Sequence, residues 1–220
     1  MRQKQLFMVT ILFLVFVMSG CTPYSDFQTA KTVGKGNVEL TPFAAVNGAF
    51  GNVGANIDLG ITNNFDVRAT YSQVFYFGGS YPLEGKVDAF NVGLLSLAPK
   101  LSILKDILAF TVPIDYIYDR SLFIIRPSLL ITAPIGRHTD LTISPKSYYM
   151  FKLQPDGGGT TIMPALSLGL SIHPTDLISF KPEIGFIDQL LDGKLSWFGN
   201  AYIGFGVSFK LEKREIRFLK

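Results

Sequence analysis

Side chains that could carry out catalysis are few in this chain of 220 residues. The two histidines, His138 and His173, each fall in a short polar turn between predicted strands, and neither stands beside a plausible nucleophile. Asp188 and Asp192 could pair as carboxylates in one connection, but two aspartates in a loop are a weak catalytic signal. The glycine-rich stretch 156–159 precedes no helix, so it does not predict a phosphate-binding loop. The sequence therefore predicts no enzyme.

Charged side chains at alternate strand positions indicate charge pairs on one face of the predicted strands instead of a catalytic site. Around the turn at 62–64, positions whose numbers sum to about 126 face each other, which places Asp58 opposite Arg68. Asp115 and Arg126 fall on neighbouring strands with an offset, so they can meet only diagonally. Such charges either cross-link a filled lumen or set a constriction that filters solutes. The inward-facing charges predicted in this way are Glu39, Asp58, Asp66, Arg68, Asp115, Arg126, Lys181, Glu183 and Lys210.

Composition and charge exclude several classes of protein. Hydrophobic residues make up 48% of the chain and charged residues 17%, which excludes a disordered polar chain. Beyond the first 20 residues, which carry Arg2 and Lys4, 18 basic residues face 17 acidic ones, a balance that argues against a nucleic-acid partner. A single cysteine, Cys21, excludes a disulfide framework and a cysteine-cluster zinc site. With only two histidines, neither a metal nor a non-covalent cofactor is predicted.

The N-terminus has the pattern of an export signal. Arg2 and Lys4 precede an apolar run over 6–18, which is too short for a transmembrane helix of about 20 residues. The following Met18-Ser19-Gly20-Cys21 resembles the bacterial lipobox, in which a cysteine is acylated and becomes the new N-terminus. The resemblance implies a cleaved signal peptide over 1–20 and a diacylglycerol on Cys21. The alternative is an ordinary signal peptide with an incidental cysteine. Thr22, where an Asp would signal inner-membrane retention in some bacteria, favours the outer membrane.

Apolar and polar residues alternate with a period of two through most of the exported chain. From Asn52 to Ile61, for example, apolar odd-numbered residues oppose polar even-numbered ones. Most of the predicted strands are close to the 9–11 residues that a tilted membrane strand needs. The predicted strands are 37–47, 52–61, 65–77, 86–103, 108–118, 121–133, 140–152, 161–172, 177–187 and 195–211.

The connections between these strands alternate between two sets. One set is short and polar, and the other contains three longer glycine-rich loops and two further short connections, near 48–51 and at 119–120. Short periplasmic turns and longer outer loops are typical of outer-membrane barrels, and an even strand number then leaves both termini in the periplasm. Residues 21–36 are interpreted as a lipidated periplasmic tether, 37–211 as the barrel and 212–220 as a periplasmic tail. Aromatic residues, among them Tyr148, fall at the predicted outer rim, where an interfacial girdle belongs.

Taken together, these motifs resemble the small outer-membrane β-barrel proteins of Gram-negative bacteria, particularly the lipobox-bearing ones common in Bacteroidota. The resemblance rests on the lipobox, on FQTAKTVGKG at 27–36, on ILAFTVP at 107–113 and on the ending GFGVSF at 204–209. It implies an all-β fold, a single closed antiparallel up-and-down transmembrane barrel of about ten strands. It says little about activity.

Three functions remain open at this point. The polar inner face indicates a narrow, porin-like passive pore for small solutes. The narrow bore of ten strands indicates instead a closed structural or surface-interaction barrel without transport. Because alternation alone does not show which face is inside, a lipid-tethered periplasmic lipid-binding barrel is the third. The expected partners are outer-membrane lipid and the barrel-assembly and lipoprotein-processing machineries.

The lipobox interpretation makes a direct prediction. Cys21→Ala should abolish acylation, because the thiol is the site to which the diacylglycerol is attached. The measurement is incorporation of radiolabelled palmitate by cells that express the protein. Palmitate incorporation that persists in this variant would reject the assignment.

Overall fold

The structure, a computed structural model, describes residues 25–47, 50–76, 91–118, 121–152, 161–187 and 201–212. Within these ranges, no helix is long and apolar enough to cross a membrane. The predicted signal peptide, Cys21, residues 213–220 of the predicted tail, and Asp188 and Asp192 lie outside them. The strands are β1 (Val38–Asn47), β2 (Phe50–Gly60), β3 (Phe65–Tyr76), β4 (Asn91–Leu104), β5 (Leu108–Thr111), β6 (Ile114–Ile117), β7 (Leu122–Ile125), β8 (Ser128–Gly136), β9 (Thr139–Lys152), β10 (Thr161–Ile172), β11 (Ile178–Ile187) and β12 (Ala201–Leu211).

These segments close into a ten-stranded antiparallel barrel. β5 and β6 both pair with β4 and form one interrupted strand, and β7 and β8 both pair with β9 in the same way. The wall closes because β1 pairs with both β2 and β12, and β9 continues through β10 and β11 to β12. The fold predicted from the alternation is confirmed, and the strand bounds agree within a few residues wherever the structure describes them.

Two prolines cause the two interruptions. Pro113 follows the end of β5 and Pro127 follows the end of β7, and neither can donate a ladder hydrogen bond. The two breaks lie side by side, because the Arg126 N–H donates to the Pro113 carbonyl oxygen at 2.8 Å. Arg126 therefore lies at an irregular point of the wall, from which its side chain enters the interior.

Apolar side chains cover the outside of this barrel, and polar side chains fill much of its inside. Ile57 and Leu97 are 44% and 54% exposed, whereas Asn56 and Asp58 are each 2% exposed. A barrel in water buries its apolar residues, and a barrel in lipid exposes them. The outer surface is therefore that of a membrane barrel.

The two ends of the barrel differ in their connections. The turn end carries the four short connections at 60–65, 104–108, 136–139 and 172–178, together with the start of β1 and the end of β12. The loop end carries the connections at 47–50, 76–91, 117–122, 152–161 and 187–201. The chain therefore enters and leaves the wall at the turn end.

The interior differs from two expectations. Tyr148, predicted in the outer aromatic girdle, is fully buried inside the barrel, because it shares the inward parity of Lys146 on β9. Residues 25–36, predicted as part of a periplasmic tether, also lie inside the barrel, where Phe27 is 3% and Ala30 0% exposed. Residues 25–36 lie there because side chains of the inner wall bind backbone N–H groups of this stretch and the Asp26 carboxylate.

The apolar outer surface predicts a depth-dependent penalty for charge. Leu97→Arg, in the middle of β4, should lower the free energy of unfolding by about 2–4 kcal/mol, because an arginine at the bilayer midplane loses its hydration. Ile135→Arg, beside the turn at 136–139, should cost only about 0–1 kcal/mol, since this residue lies near the interface. Urea unfolding in lipid vesicles measures both values. Equal penalties would contradict a lipid-facing surface.

Candidate functional site: a segment inside the lumen

Residues 25–36, which we call the lumen segment, turn back from the start of β1 into the barrel. Gly34 and Gly36 have φ values of +89° and +78°, which glycine adopts at little cost, and they allow this reversal. The Gly36 N–H donates to the Gly60 carbonyl oxygen at 2.7 Å, which fixes the C-terminal end of the segment at the turn end. From there, the backbone runs up the lumen towards Ser25.

Asp26 lies at the centre of the strongest group of contacts. Its carboxylate is 2.5 Å from Arg126 Nη1 and 2.5 Å from Lys146 Nζ. The Asp26 side chain is only 6% exposed, so water does not compensate its charge. Burying a charge is costly unless it is paired and hydrogen-bonded, and the two cations provide that pairing.

Glu183 on β11 holds the backbone at the same level. Its carboxylate accepts the N–H of Asp26 at 3.2 Å, the N–H of Phe27 at 2.8 Å and the hydroxyl of Tyr202 at 2.7 Å. Phe27 has a φ of +49°, a left-handed conformation that lets successive N–H groups converge on one anion. On the opposite side, Arg68 donates to the Asp26 carbonyl oxygen. Side chains from β3, β9, β11 and the β7–β8 break therefore hold this part of the segment.

Two of the charge pairs have the geometry that the sequence register predicted. Asp58 faces Arg68 across β2 and β3, with Nε 2.8 Å from Oδ1 and Nη2 2.7 Å from Oδ2. Asp115 faces Ile124, so Arg126 lies diagonally from it and reaches the carboxylate with Nε and with Nη2, the latter at 3.1 Å. Both pairs are buried, and each orients a guanidinium towards Asp26.

Lys181 and Glu183, predicted two apart on one strand face, both point inward but serve different partners. Lys181 Nζ binds the Glu39 carboxylate near the turn end, whereas Glu183 binds the lumen segment. Sequence reasoning did not find Lys146 or Asp26. The sequence did contain a signal that Lys146 points inward, since it continues the alternation of Thr142 and Ser144 on β9. Asp26 carried none, because its stretch has no periodicity.

Closer to the turn end, further side chains hold the backbone of the segment. The Ala30 N–H donates to Thr132 Oγ1 at 2.8 Å, and the Val33 N–H donates to Asp66 Oδ2 at 3.0 Å. Lys100 Nζ donates to the Lys31 carbonyl oxygen at 2.7 Å. These contacts are made by side chains of the wall, and the segment itself contributes no strand to the sheet.

Much of the loop-end half of the lumen is apolar, which sequence reasoning missed. Inward positions near the strand ends form one buried group that we call the apolar cluster. Tyr148 links it to the charges, because the Arg126 guanidinium lies 5.7 Å from its ring centroid. The members are Val74, Val92, Leu94, Ile117, Ile124, Tyr148, Met163, Ala165, Ile187 and Tyr202. The lumen is therefore lined by charge pairs at mid-height and largely by apolar side chains above them.

Small voids lie beside the lumen segment. Cavities of about 20 Å³ and about 10 Å³ adjoin Asp26 and Phe27, and a cavity of this size holds about one water molecule at most. A larger cavity of about 130 Å³ opens below the segment at the turn end, between Lys31, Lys181 and Lys210. It ends at Arg68 and Asp58, so it does not cross the level of Asp26.

Gly204 on β12 shows how closely the segment fits the wall. A Cβ at this position would overlap Ser25 Oγ and lie 2.7 Å from Phe27 Cζ. Gly169 on β10 also lies on the inner wall, but a Cβ there would have its nearest neighbour at an ordinary 3.8 Å. A side chain at 204 would therefore force the Ser25 hydroxyl and the Phe27 ring to move, whereas a Cβ at 169 would not.

The histidines remain at the turns, as predicted. His173 Nε2 lies 3.0 Å from Asp140 Oδ2, and the His173 N–H donates to the His138 carbonyl oxygen at 2.7 Å. Asp140 also pairs with Lys31 of the lumen segment at 2.6 Å. Among the residues that the structure describes, no group of three His, Cys, Asp or Glu side chains could hold a metal ion.

Comparison with known proteins returned barrels of low similarity. No protein-family model matches the chain, and no curated protein matches it. The N-terminal β-barrel domain of Pseudomonas aeruginosa OprF is 15% identical, with 81% of this chain and 99% of that one covered and a TM-score of 0.37. The NanC porin is 13% identical, with coverages of 79% and 100% and a TM-score of 0.42. A de novo designed transmembrane β-barrel is 10% identical, with coverages of 80% and 96% and a TM-score of 0.36.

The position of Asp26 predicts a large effect of its removal. Asp26→Ala should lower the free energy of unfolding by about 3–5 kcal/mol, because it leaves Lys146 buried without its carboxylate. Lys35→Ala, on the same segment but with an exposed side chain, should change it by less than about 0.5 kcal/mol. Denaturant unfolding of the folded protein measures both.

A double-mutant cycle with Lys146→Met tests whether the loss comes from this ion pair. The two substitutions should be non-additive by about 0.5–3 kcal/mol, because the second removes the charge that the first leaves unpaired. Additive effects would show that the two side chains do not interact.

Proposed function

We propose that this protein is a lipid-anchored outer-membrane β-barrel whose lumen is closed by its own N-terminal segment. In this proposal it is a structural or surface-interaction barrel, and its resting state passes no solute. It performs no catalysis and uses no cofactor other than the covalent lipid on Cys21. The single observation that carries the proposal is the buried Asp26, held by side chains from several parts of the wall.

The apolar outer surface supports placement in a membrane. Leu95, Leu97 and Tyr71 are about half exposed at mid-wall, where water would not stabilise them. The short connections indicate the periplasmic side, so the end of β12 faces the periplasm. The expected partners are outer-membrane lipid and the machineries that assemble barrels and process lipoproteins. A periplasmic lipid-binding barrel fits less well, because the cavity of about 130 Å³ at the turn end is lined largely by polar and charged residues.

Closure of the bore predicts an impermeable barrel. Liposomes that contain the folded mature protein should admit small sugars and ions no faster than liposomes without protein, because the lumen segment and its side-chain partners occupy the bore at the level of Asp26. Entry of sugars through the wild-type protein, with folding verified by a boiling-dependent gel shift, would reject the closed state.

A gated pore is the second candidate, and one observation favours it. Around Asp26, the wall itself contributes three cations and three carboxylates, so the inner wall is balanced in charge without the segment. The narrow passive pore expected from the sequence would then exist only when the segment leaves the lumen. The wall contributions at this level are Asp58, Arg68, Asp115, Arg126, Lys146 and Glu183.

Two glycine variants distinguish these candidates. Gly204→Val should loosen the lumen segment, because its side chain overlaps the Ser25 hydroxyl and the end of the Phe27 ring. Faster amide exchange of Asp26 and Phe27 would verify that the segment has moved. Gly169→Val is the matched control on the same inner wall, where a Cβ meets no close neighbour. A gated pore requires sugar entry through the first variant and none through the second. If both variants stay impermeable while folded, the gated pore is rejected and the closed barrel stands.

A further inference from the structure

The lumen segment climbs through the barrel in one direction. Gly36 lies at the turn end beside Gly60, and Val33 lies beside Asp66 near the start of β3. Farther up, Asp26 lies at mid-height among Arg68, Arg126 and Lys146. Going back along the sequence from residue 36 to residue 25, the chain therefore moves steadily away from the turn end.

Ser25 lies well towards the loop end. Its hydroxyl approaches Gly204, which pairs with Ala45 on β1. Ala45 is seven residues beyond Val38 and two before Asn47, the last residue of β1. At about 3.4 Å per residue and a strand tilt of about 40°, Ala45 lies about 18 Å above the turn end.

The four residues that precede Ser25 are too few for the chain to return to the turn end. An extended chain spans at most about 3.6 Å per residue, so Cys21 can lie no more than about 14 Å from Ser25. The way back is also blocked at the level of Asp26, by the segment itself and by the side chains that hold it, because the cavity at the turn end does not cross this level. Cys21 therefore cannot reach the membrane leaflet at the turn end while the segment occupies the lumen.

The geometry points to a chain that threads its own barrel, so that its N-terminus emerges at the loop end and the lipid on Cys21 faces the cell surface. This inference rests on the proposed function for two elements, the acylation of Cys21 and the periplasmic position of the short turns. It replaces the periplasmic N-terminus expected from the sequence, whereas the end of β12 remains at the turn end. It also gives the lipid a second role, because acyl chains outside the loop end oppose withdrawal of the segment towards the periplasm.

Cysteine accessibility in intact cells tests the inference. Acylation blocks the thiol of Cys21, so Thr22→Cys introduces the only free thiol of the chain. A membrane-impermeant maleimide should label this variant in intact cells to the same extent as Gly158→Cys, in the 152–161 connection of the loop end. Lys105→Cys, in the exposed turn at 104–108, should be labelled only after the outer membrane is permeabilised.

Failure of Thr22→Cys to label in intact cells, where Gly158→Cys labels, would overturn the inference. The two assumptions, the orientation of the barrel and the acylation of Cys21, each have a readout of their own. Labelling of Lys105→Cys in intact cells, with Gly158→Cys protected, would show that the proposed orientation is reversed. Absence of palmitate on the wild-type chain would remove the anchor and leave the Cys21 thiol free. The labelling is then measured in variants that also carry Cys21→Ala, where equal labelling of positions 22 and 158 would still establish the threading.

Discussion

A carboxylate buried inside a membrane barrel must be paired, and the arrangement of the interior follows from this requirement at Asp26. Arg126 and Lys146 neutralise the carboxylate, Arg68 binds its carbonyl oxygen, and Glu183 binds its N–H. Each partner comes from a different part of the wall. The lumen segment therefore connects strands that are not neighbours in the sheet, and removal of one carboxylate would affect all of them.

The irregular part of the wall and the lumen segment are connected. Pro113 and Pro127 interrupt two adjacent strands, and Arg126 lies at the interruption. Seven prolines lie within the predicted strands, and in an ideal ladder each would remove a hydrogen bond. In this barrel, two of them produce the break from which a guanidinium reaches both Asp115 and Asp26. The loss of ladder hydrogen bonds at these two prolines thus occurs where Arg126 contacts Asp26.

The wall could be predicted from the sequence because its signal is local and periodic. Alternation located the strands, and the turn at 62–64 fixed the register that places Asp58 opposite Arg68. The interior could not be predicted in the same way. The lumen segment has no periodicity, and the partners of Asp26 lie between 42 and 157 positions away in the sequence. The inward apolar cluster was missed because its members occupy the same parity as the polar residues, at the loop ends of the strands.

Amide hydrogen exchange of residues 25–36 in the folded, lipid-reconstituted protein tests the central claim most directly. The N–H groups of Asp26, Phe27, Ala30 and Val33 donate to side chains of the inner wall. They should therefore exchange as slowly as the amides of the barrel strands, and Asp26→Ala should accelerate their exchange while the strands remain protected. Exchange of these four amides at the rate of an unstructured peptide in the wild-type protein would contradict the account, because the lumen would then be unoccupied.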